Sequence, residues 1–178
     1  MKQNRKKGFS MVEMIVVVAI MGVFTALATI GFGYLKSGNV RAAVKTVDSN
    51  LTKLKLDTMS KENKPYMCIY KVGSDYYMLC TTDSNISPNA SNGQKIGNGN
   101  VKISVGGVEL TGSSKIYIAF KKGSGAFTDK ITIGSVENST VTTSSDSTIA
   151  MENASGTGTK YTLHMIRDTG KHLSLIHI

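Results

Sequence analysis

The chain has 178 residues, enough for one domain of ordinary size or a small domain with an appendage. With 40% hydrophobic and 19% charged residues, 18 Gly and 2 Pro, it is neither a disordered nor a collagen-like polymer. Of the net charge of +9, nearly half comes from Lys2, Arg5, Lys6 and Lys7. The portion from residue 65 onward is close to neutral, which excludes a strongly basic nucleic-acid domain, so nucleic acid is not an expected partner. Two cysteines and three histidines exclude a disulfide-dense scaffold and argue against a Cys/His metal cage.

The first element follows the basic octet. Met14 to Leu35, MIVVVAIMGVFTALATIGFGYL, is a run of 22 uncharged residues. A bilayer core of ~30 Å needs ~20 apolar helical residues, so the run can span a membrane. A cleaved secretory signal has an apolar region of about 7–15 residues, shorter than this one. A signal anchor fits the run and its basic flank, which the positive-inside rule keeps cytoplasmic, leaving everything after Leu35 outside. Neither accounts for Glu13, the one charge between Phe9 and Leu35. An ionised side chain at mid-bilayer costs roughly 2.5–3.5 kcal/mol on translocon scales, less near the interface, and is a functional candidate by default. Ser10-Met11-Val12-Glu13 also fits the S-x-x-E capping box, in which Glu13 satisfies backbone donors and complements the helix dipole. Local pattern leaves both roles open.

The residues KKGFSMVEMIVVVAIMGVFTALA closely resemble the amino-terminal motif of type IV pilins and type II secretion pseudopilins. In that family a short basic leader ends in Gly, a prepilin peptidase cuts after it, the new first residue is N-methylated, and a Glu stands fifth in the mature chain. Gly8, Phe9 and Glu13 match those positions. Ser10 and Met11 replace the commoner Thr and Leu, and the Pro often found mid-helix is absent around Ile30-Gly31-Phe32-Gly33. The resemblance implies leader cleavage between Gly8 and Phe9, N-methylation of Phe9, and an assembly role for Glu13 opposite a neighbour's freed amine. It further implies a non-catalytic, cofactor-free subunit of a pilus or pseudopilus. Its partners would be other pilin subunits, the prepilin peptidase, the assembly machinery and the cytoplasmic membrane, from which it passes to an exterior filament. The contrasting class is a signal-anchored ectodomain that binds a ligand or acts on wall material, which keeps its leader.

In residues 36–64, Val40, Val44, Val47, Leu51 and Leu54 recur at steps of three and four, an amphipathic stripe expected to pack on its own domain. A helix from Phe9 to about Lys61 would be ~80 Å long. Gly31, Gly33 and Gly38 each cost it ~1 kcal/mol relative to Ala. They serve either close helix packing, with Gly22-x-x-x-Ala26 and Thr29-x-x-x-Gly33, or a stretch that melts in the filament. Pro65 stops the helix.

Residues 66–172 read as strands at Tyr66–Val72, Tyr76–Thr81, Val101–Val105, Val108–Thr111, Lys115–Phe120, Lys130–Ile133 and Tyr161–Ile166. The polar stretches 82–100 and 135–149 read as surface loops. The expected fold is α+β and pilin-like: a long amino-terminal helix, membrane-spanning then amphipathic, packed on an antiparallel β-sheet head. Its parts are leader 1–8, polymerisation helix 9–35, amphipathic helix 36–64 and exterior head 65–172. With a three-residue hairpin loop at 73–75, Cys68 faces Cys80 across the strands. Outside the cytoplasm a bridge there would persist and contribute ~3 kcal/mol; the alternative is two small buried hydrophobes.

No Walker A lysine motif, G-x-S-x-G elbow, H-E-x-x-H or C-x-x-C occurs, and the chain is not expected to be an enzyme. Residues 173–178, LSLIHI, read as a translation of CTGTCTCTTATACACATC, which resembles a transposon-end sequencing adapter, so the true gene is expected to diverge after His172.

Overall fold

The computed structural model describes residues 9–128, 131–133, 136–138, 147–156 and 158–177. One helix, α1, runs Met11–Ser60. Eleven strands follow: β1 Tyr66–Val72, β2 Asp75–Thr81, β3 Gln94–Gly97, β4 Val101–Val105, β5 Val108–Glu109, β6 Lys115–Ala119, β7 Ile131–Ile133, β8 Val136–Asn138, β9 Ser147–Asn153, β10 Lys160–Ile166 and β11 Lys171–His177. The chain divides into two compact units, Met1–Leu35 and Lys36–Ile178. The second is an α+β head.

The head is organised by the stripe on the second half of α1. Val40, Ala43, Val44, Val47, Leu51 and Leu54 are all buried, at the spacing that puts them on one helical face. They share one core with Met67 and Ile69 of β1, Ile103 of β4, Ile149 and Met151 of β9, and Leu163 of β10. At roughly 1.5–3 kcal/mol per fully buried aliphatic side chain, the stripe supplies on the order of 10 kcal/mol of the head's cohesion. Thr58, also buried, donates its hydroxyl to the Leu54 carbonyl at 2.7 Å, so it adds no unmet polar group. Lys55 reaches over to the β10–β11 turn, where its Nζ donates to the carbonyls of Thr169 at 2.9 Å and Gly170 at 3.2 Å.

Two larger antiparallel sheets pack here where one was expected. Their strand orders are β3-β2-β1-β6 and β11-β10-β9-β4-β5, and β7-β8 forms a separate hairpin. β9 is central to the second sheet, paired to β10 on one side and β4 on the other. Its sequence STIAMEN was not read as a strand, because Ala, Met and Glu carry little strand preference; burial of Ile149 and Met151 decides it instead. β3 likewise lies within the stretch expected to be loop. Of the second expected loop, Val136–Asn138 instead form β8, paired with β7; residues 135 and 139–146 lie outside the described residues, as does Lys130. β11 pairs along β10 and leaves Leu173, Leu175 and Ile176 exposed.

The β1–β2 hairpin corrects the cysteine geometry. Val72 pairs with Asp75, so the turn is the two residues Gly73-Ser74. Gly73 has φ 62° and Ser74 does not have positive φ, the arrangement of a type II′ turn that suits strand twist. One residue fewer in the loop shifts the register: Cys68 opposes Leu79, and Cys80 opposes Met67. A one-residue shift sends a side chain to the opposite face. Cys68 is therefore buried on one side of the sheet while Cys80 is exposed, and both are free thiols. The expected bridge does not form in this register, and only Cys68 behaves as a small buried hydrophobe.

The face of the first sheet that carries Cys68 has a second, smaller core. Tyr66, Cys68, Tyr70 and Leu79 are buried there, with Tyr77, Ile86, Tyr117 and Ala119 packed against them. The stretch after β2 crosses this face as a strap. Tyr66 donates its hydroxyl to the Asp83 carbonyl at 3.0 Å, and Tyr70 donates to the Asn89 carbonyl at 2.7 Å. Gly93 lets the strap close down: a Cβ there would collide with the Tyr70 hydroxyl and lie 3.2 Å from Tyr77 Cβ.

Candidate processing and assembly site

The helix start is built by Ser10 and Glu13. Met14 N–H donates to the Ser10 carbonyl at 3.2 Å, which makes Ser10 the cap and Met11 the first helical residue. Ser10 N–H in turn donates to Glu13 Oε2 at 3.3 Å, the returning half of a capping box. The capping role read from S-x-x-E is thus filled within the single chain. It occupies one carboxylate oxygen of an exposed side chain, and no other hydrogen bond to Glu13 occurs among the described residues. Phe9 is 80% exposed one residue before the cap. Gly8 lies outside the described residues.

Beyond Glu13 the helix has no polar outer face. Met11–Ala28 is long and apolar enough to cross a membrane, and none of it is buried. Thirteen large apolar side chains between Phe9 and Leu27 are exposed. At roughly 1.5–3 kcal/mol each, that is some tens of kcal/mol of burial left unmade in water, so this segment requires lipid or neighbouring apolar helices. Thr25 donates its hydroxyl to the Met21 carbonyl at 2.8 Å and brings no unmet polar group. A Cβ at Gly22 would meet nothing within 4 Å, so no contact in the single chain requires this glycine.

A family model, the prokaryotic N-terminal methylation motif, matches residues 3–29. The chain's amino-terminus therefore carries a segment similar to the amino-terminal motif of type IV pilins and pseudopilins. The match takes in Arg5, Lys6 and Lys7, Gly8, Phe9, the Ser10–Glu13 box and the apolar helix to residue 29, and it stops before the head. The motif implies a precursor processed by prepilin peptidase and assembly into polymers. No curated protein and no solved structure matches the chain.

The head offers no comparable constellation among the described residues. Among the described residues no group of three or more His, Cys, Asp and Glu could hold a metal ion. His164 is half-buried in β10. His172 of β11 is tied to the helix, its Nε2 3.1 Å from Thr52 Oγ1 and 3.5 Å from Asp48 Oδ1. Burial pushes the Cys68 thiol up to about 12, with Lys115 opposing, which leaves it protonated and inert at neutral pH. Cys80 borders an open groove lined by Asn50, Lys53, Asp57 and Thr81; desolvation raises its pKa and Lys53 opposes the rise. Sequence reasoning missed the Lys55 anchor and the tyrosine-strap layer, whose one sequence-level signal is the spacing of Tyr66, Tyr70 and Tyr77.

Proposed function

We propose that this chain is a prepilin: its leader is cut between Gly8 and Phe9, Phe9 is N-methylated, and the subunit is assembled into an extracellular pilus or pseudopilus. The observation that carries this reading is the matched motif at residues 3–29 joined to a wholly exposed apolar helix. In this reading the basic flank Lys2–Lys7 stays cytoplasmic, the helix is stored in the membrane, and the head is exterior. Glu13 is the docking charge. Cleavage creates an α-amine at Phe9, and the Glu13 carboxylate of an adjoining subunit neutralises it at the edge of the apolar zone. Two unit charges 4 Å apart attract by about 4 kcal/mol at an effective dielectric of 20. Removing one partner from such a buried pair costs roughly 3–5 kcal/mol. The protein's work is then mechanical and adhesive rather than catalytic.

The decisive experiment is mass spectrometry of the mature terminus after co-expression with a prepilin peptidase. An N-methylated Phe9 is expected. An intact Met1–Gly8 leader would replace this reading with a signal-anchored ectodomain. Glu13 is tested by two variants, because Gln at its position keeps a capping acceptor while removing the charge. Glu13→Ala and Glu13→Gln should both be cleaved, and both should fail to form filaments. Normal filaments from Glu13→Gln would reduce the residue to a cap.

A further inference from the structure

Five Asn-x-Ser/Thr triplets occur in the chain, beginning at Asn50, Asn85, Asn89, Asn138 and Asn153. The triplet is the acceptor signature for N-linked glycans. Ser and Thr are abundant here, so composition alone generates copies, and local geometry must separate an acceptor from a coincidence. Asn50 lies inside α1 with its Nδ2 donating to the Thr46 carbonyl at 2.8 Å. Asn153 is buried, and its Oδ1 accepts from Ser155 N–H at 3.2 Å and Ser155 Oγ at 3.0 Å. Asn89 is locked in the same way: its Oδ1 takes Ser91 N–H at 2.9 Å and Ser91 Oγ at 2.6 Å, while its Nδ2 donates to the Ser87 carbonyl at 3.3 Å. For Asn138 the two following residues lie outside the described residues.

Asn85 carries none of these constraints on its side chain. It is exposed and outside regular structure. Its backbone N–H donates to Asp83 Oδ1 at 2.8 Å, and its carboxamide has no partner among the described residues. Ser87 is exposed too; only its backbone carbonyl is used, by Asn89 and by Asn92 Nδ2 at 2.9 Å. Ile86 between them packs into the tyrosine layer. Ile86 is half-buried in that layer while Asn85 before it and Ser87 after it are both exposed, so the two polar side chains are presented outward together. The Tyr66–Asp83 and Tyr70–Asn89 hydrogen bonds pin the strap before and after this triplet. The result is a free carboxamide and a free hydroxyl, two residues apart, displayed on a surface turn.

We propose that Asn85 is a glycan acceptor, taking sugar from a polyprenyl-diphosphate-linked donor through an oligosaccharyltransferase. In that step Asn85 Nδ2 forms a bond to the sugar's C1 and the C1–oxygen bond to the lipid diphosphate breaks. The diphosphate leaves with the electron pair, and the amide proton passes to a base in the transferase. The donor is used on the exterior side of the membrane, so the inference rests on the exterior head of the proposed prepilin.

The test is peptide mapping of the full chain isolated from membranes and sheared filaments of the cells that make it. Expected is a saccharide mass increment on Asn85 within the tryptic peptide 72–95, lost in Asn85→Gln and in Ser87→Ala and kept in Asn89→Gln. Ser87→Ala retains the backbone carbonyl that the strap uses, so its loss of sugar would not reflect misfolding. An unmodified Asn85, or sugar carried instead by Asn89 or by a Ser or Thr, overturns the proposal. The terminus in the same spectra is a separate readout. Methylated Phe9 with bare Asn85 sinks the glycan alone, and an intact leader with glycosylated Asn85 sinks leader processing alone.

Discussion

The two halves of α1 obey one backbone geometry and opposite rules of burial. From Met14 to Ala28 the side chains are apolar on every side save Thr25, whose hydroxyl bonds back to the helix, and all are exposed. From Val40 to Leu54 a single stripe is apolar, and it is buried in the head. A helix that is apolar all round has no preferred inner face within its own domain, so its partner must be lipid or other chains. A one-sided helix is completed by the sheets of its own chain. The difference locates, without reference to any relative, the surface that lipid or other chains must cover: it is the half whose burial the single chain leaves unmade.

The largest expected effect sets these halves directly against each other. Leu51→Ala removes a side chain with no solvent exposure from the head core and should cost about 2–5 kcal/mol in urea unfolding of the detergent-solubilised chain. Val17→Ala, on the exposed half, should leave the same unfolding midpoint unchanged. A comparable loss from both would mean that the first half packs on the head, and the contrast would fail.

Much of this contrast was legible in the sequence because its signals are long and periodic. The uncharged run after Glu13 and the Val40–Leu54 stripe predicted one helix, and it starts at Met11 and ends at Ser60, one or two residues from the expected bounds. The candidate site was legible for the same reason, since Ser10 and Glu13 stand at capping distance in a fixed pattern. What was not legible depends on pairing between distant segments. β3 and β9 are strands because neighbours complete their ladders, not because Gln94–Gly97 or Ala150–Glu152 favours extension. The Cys68–Cys80 expectation failed on one residue of turn length, Asp75 having been assigned to the loop rather than to β2.

Alkaline pH should sharpen the comparison next, because among the described residues the buried acids with raised pKa lie in the head. Burial pushes Cys68 up to about 12 from 9.0 and Tyr117 up to about 12 from 10.0; Tyr66 and Tyr70 are raised as well, by burial first. Folding therefore holds the Cys68 proton more tightly than the unfolded chain does. The stability it supplies is complete below pH 9 and is lost as pH climbs toward 12, at about 1.4 kcal/mol per pH unit for one proton. Near-ultraviolet circular dichroism of the tyrosines should collapse over that range while the micelle-held first half of α1 keeps its far-ultraviolet helical signal. Replacing Cys68 with Ala should shift the collapse to higher pH.

A smaller effect is expected from Gly93→Ala, which forces the strap off the Tyr70 hydroxyl and should cost about 1–3 kcal/mol as overpacking. It should make Cys68, otherwise slower to alkylate than exposed Cys80, react faster with iodoacetamide. Unchanged labelling would mean that the strap does not seal the layer.

The smallest expected effect asks whether charge or apolar contact holds the second half of α1. Asp57 and Lys61 form an i,i+4 ion pair of 3.0 Å near the helix end, with the acid on the favourable amino-terminal side. Lys61 is mostly exposed, so solvent screens the pair and its worth should be only about 0.3–0.5 kcal/mol, vanishing in high salt. Asp57→Asn should accordingly shift the urea midpoint by a small fraction of what Leu51→Ala does. An effect of similar size in the two variants would transfer the hold on the helix from its stripe to its charges. The head would then loosen with ionic strength, whereas a stripe-held head keeps its grip in salt.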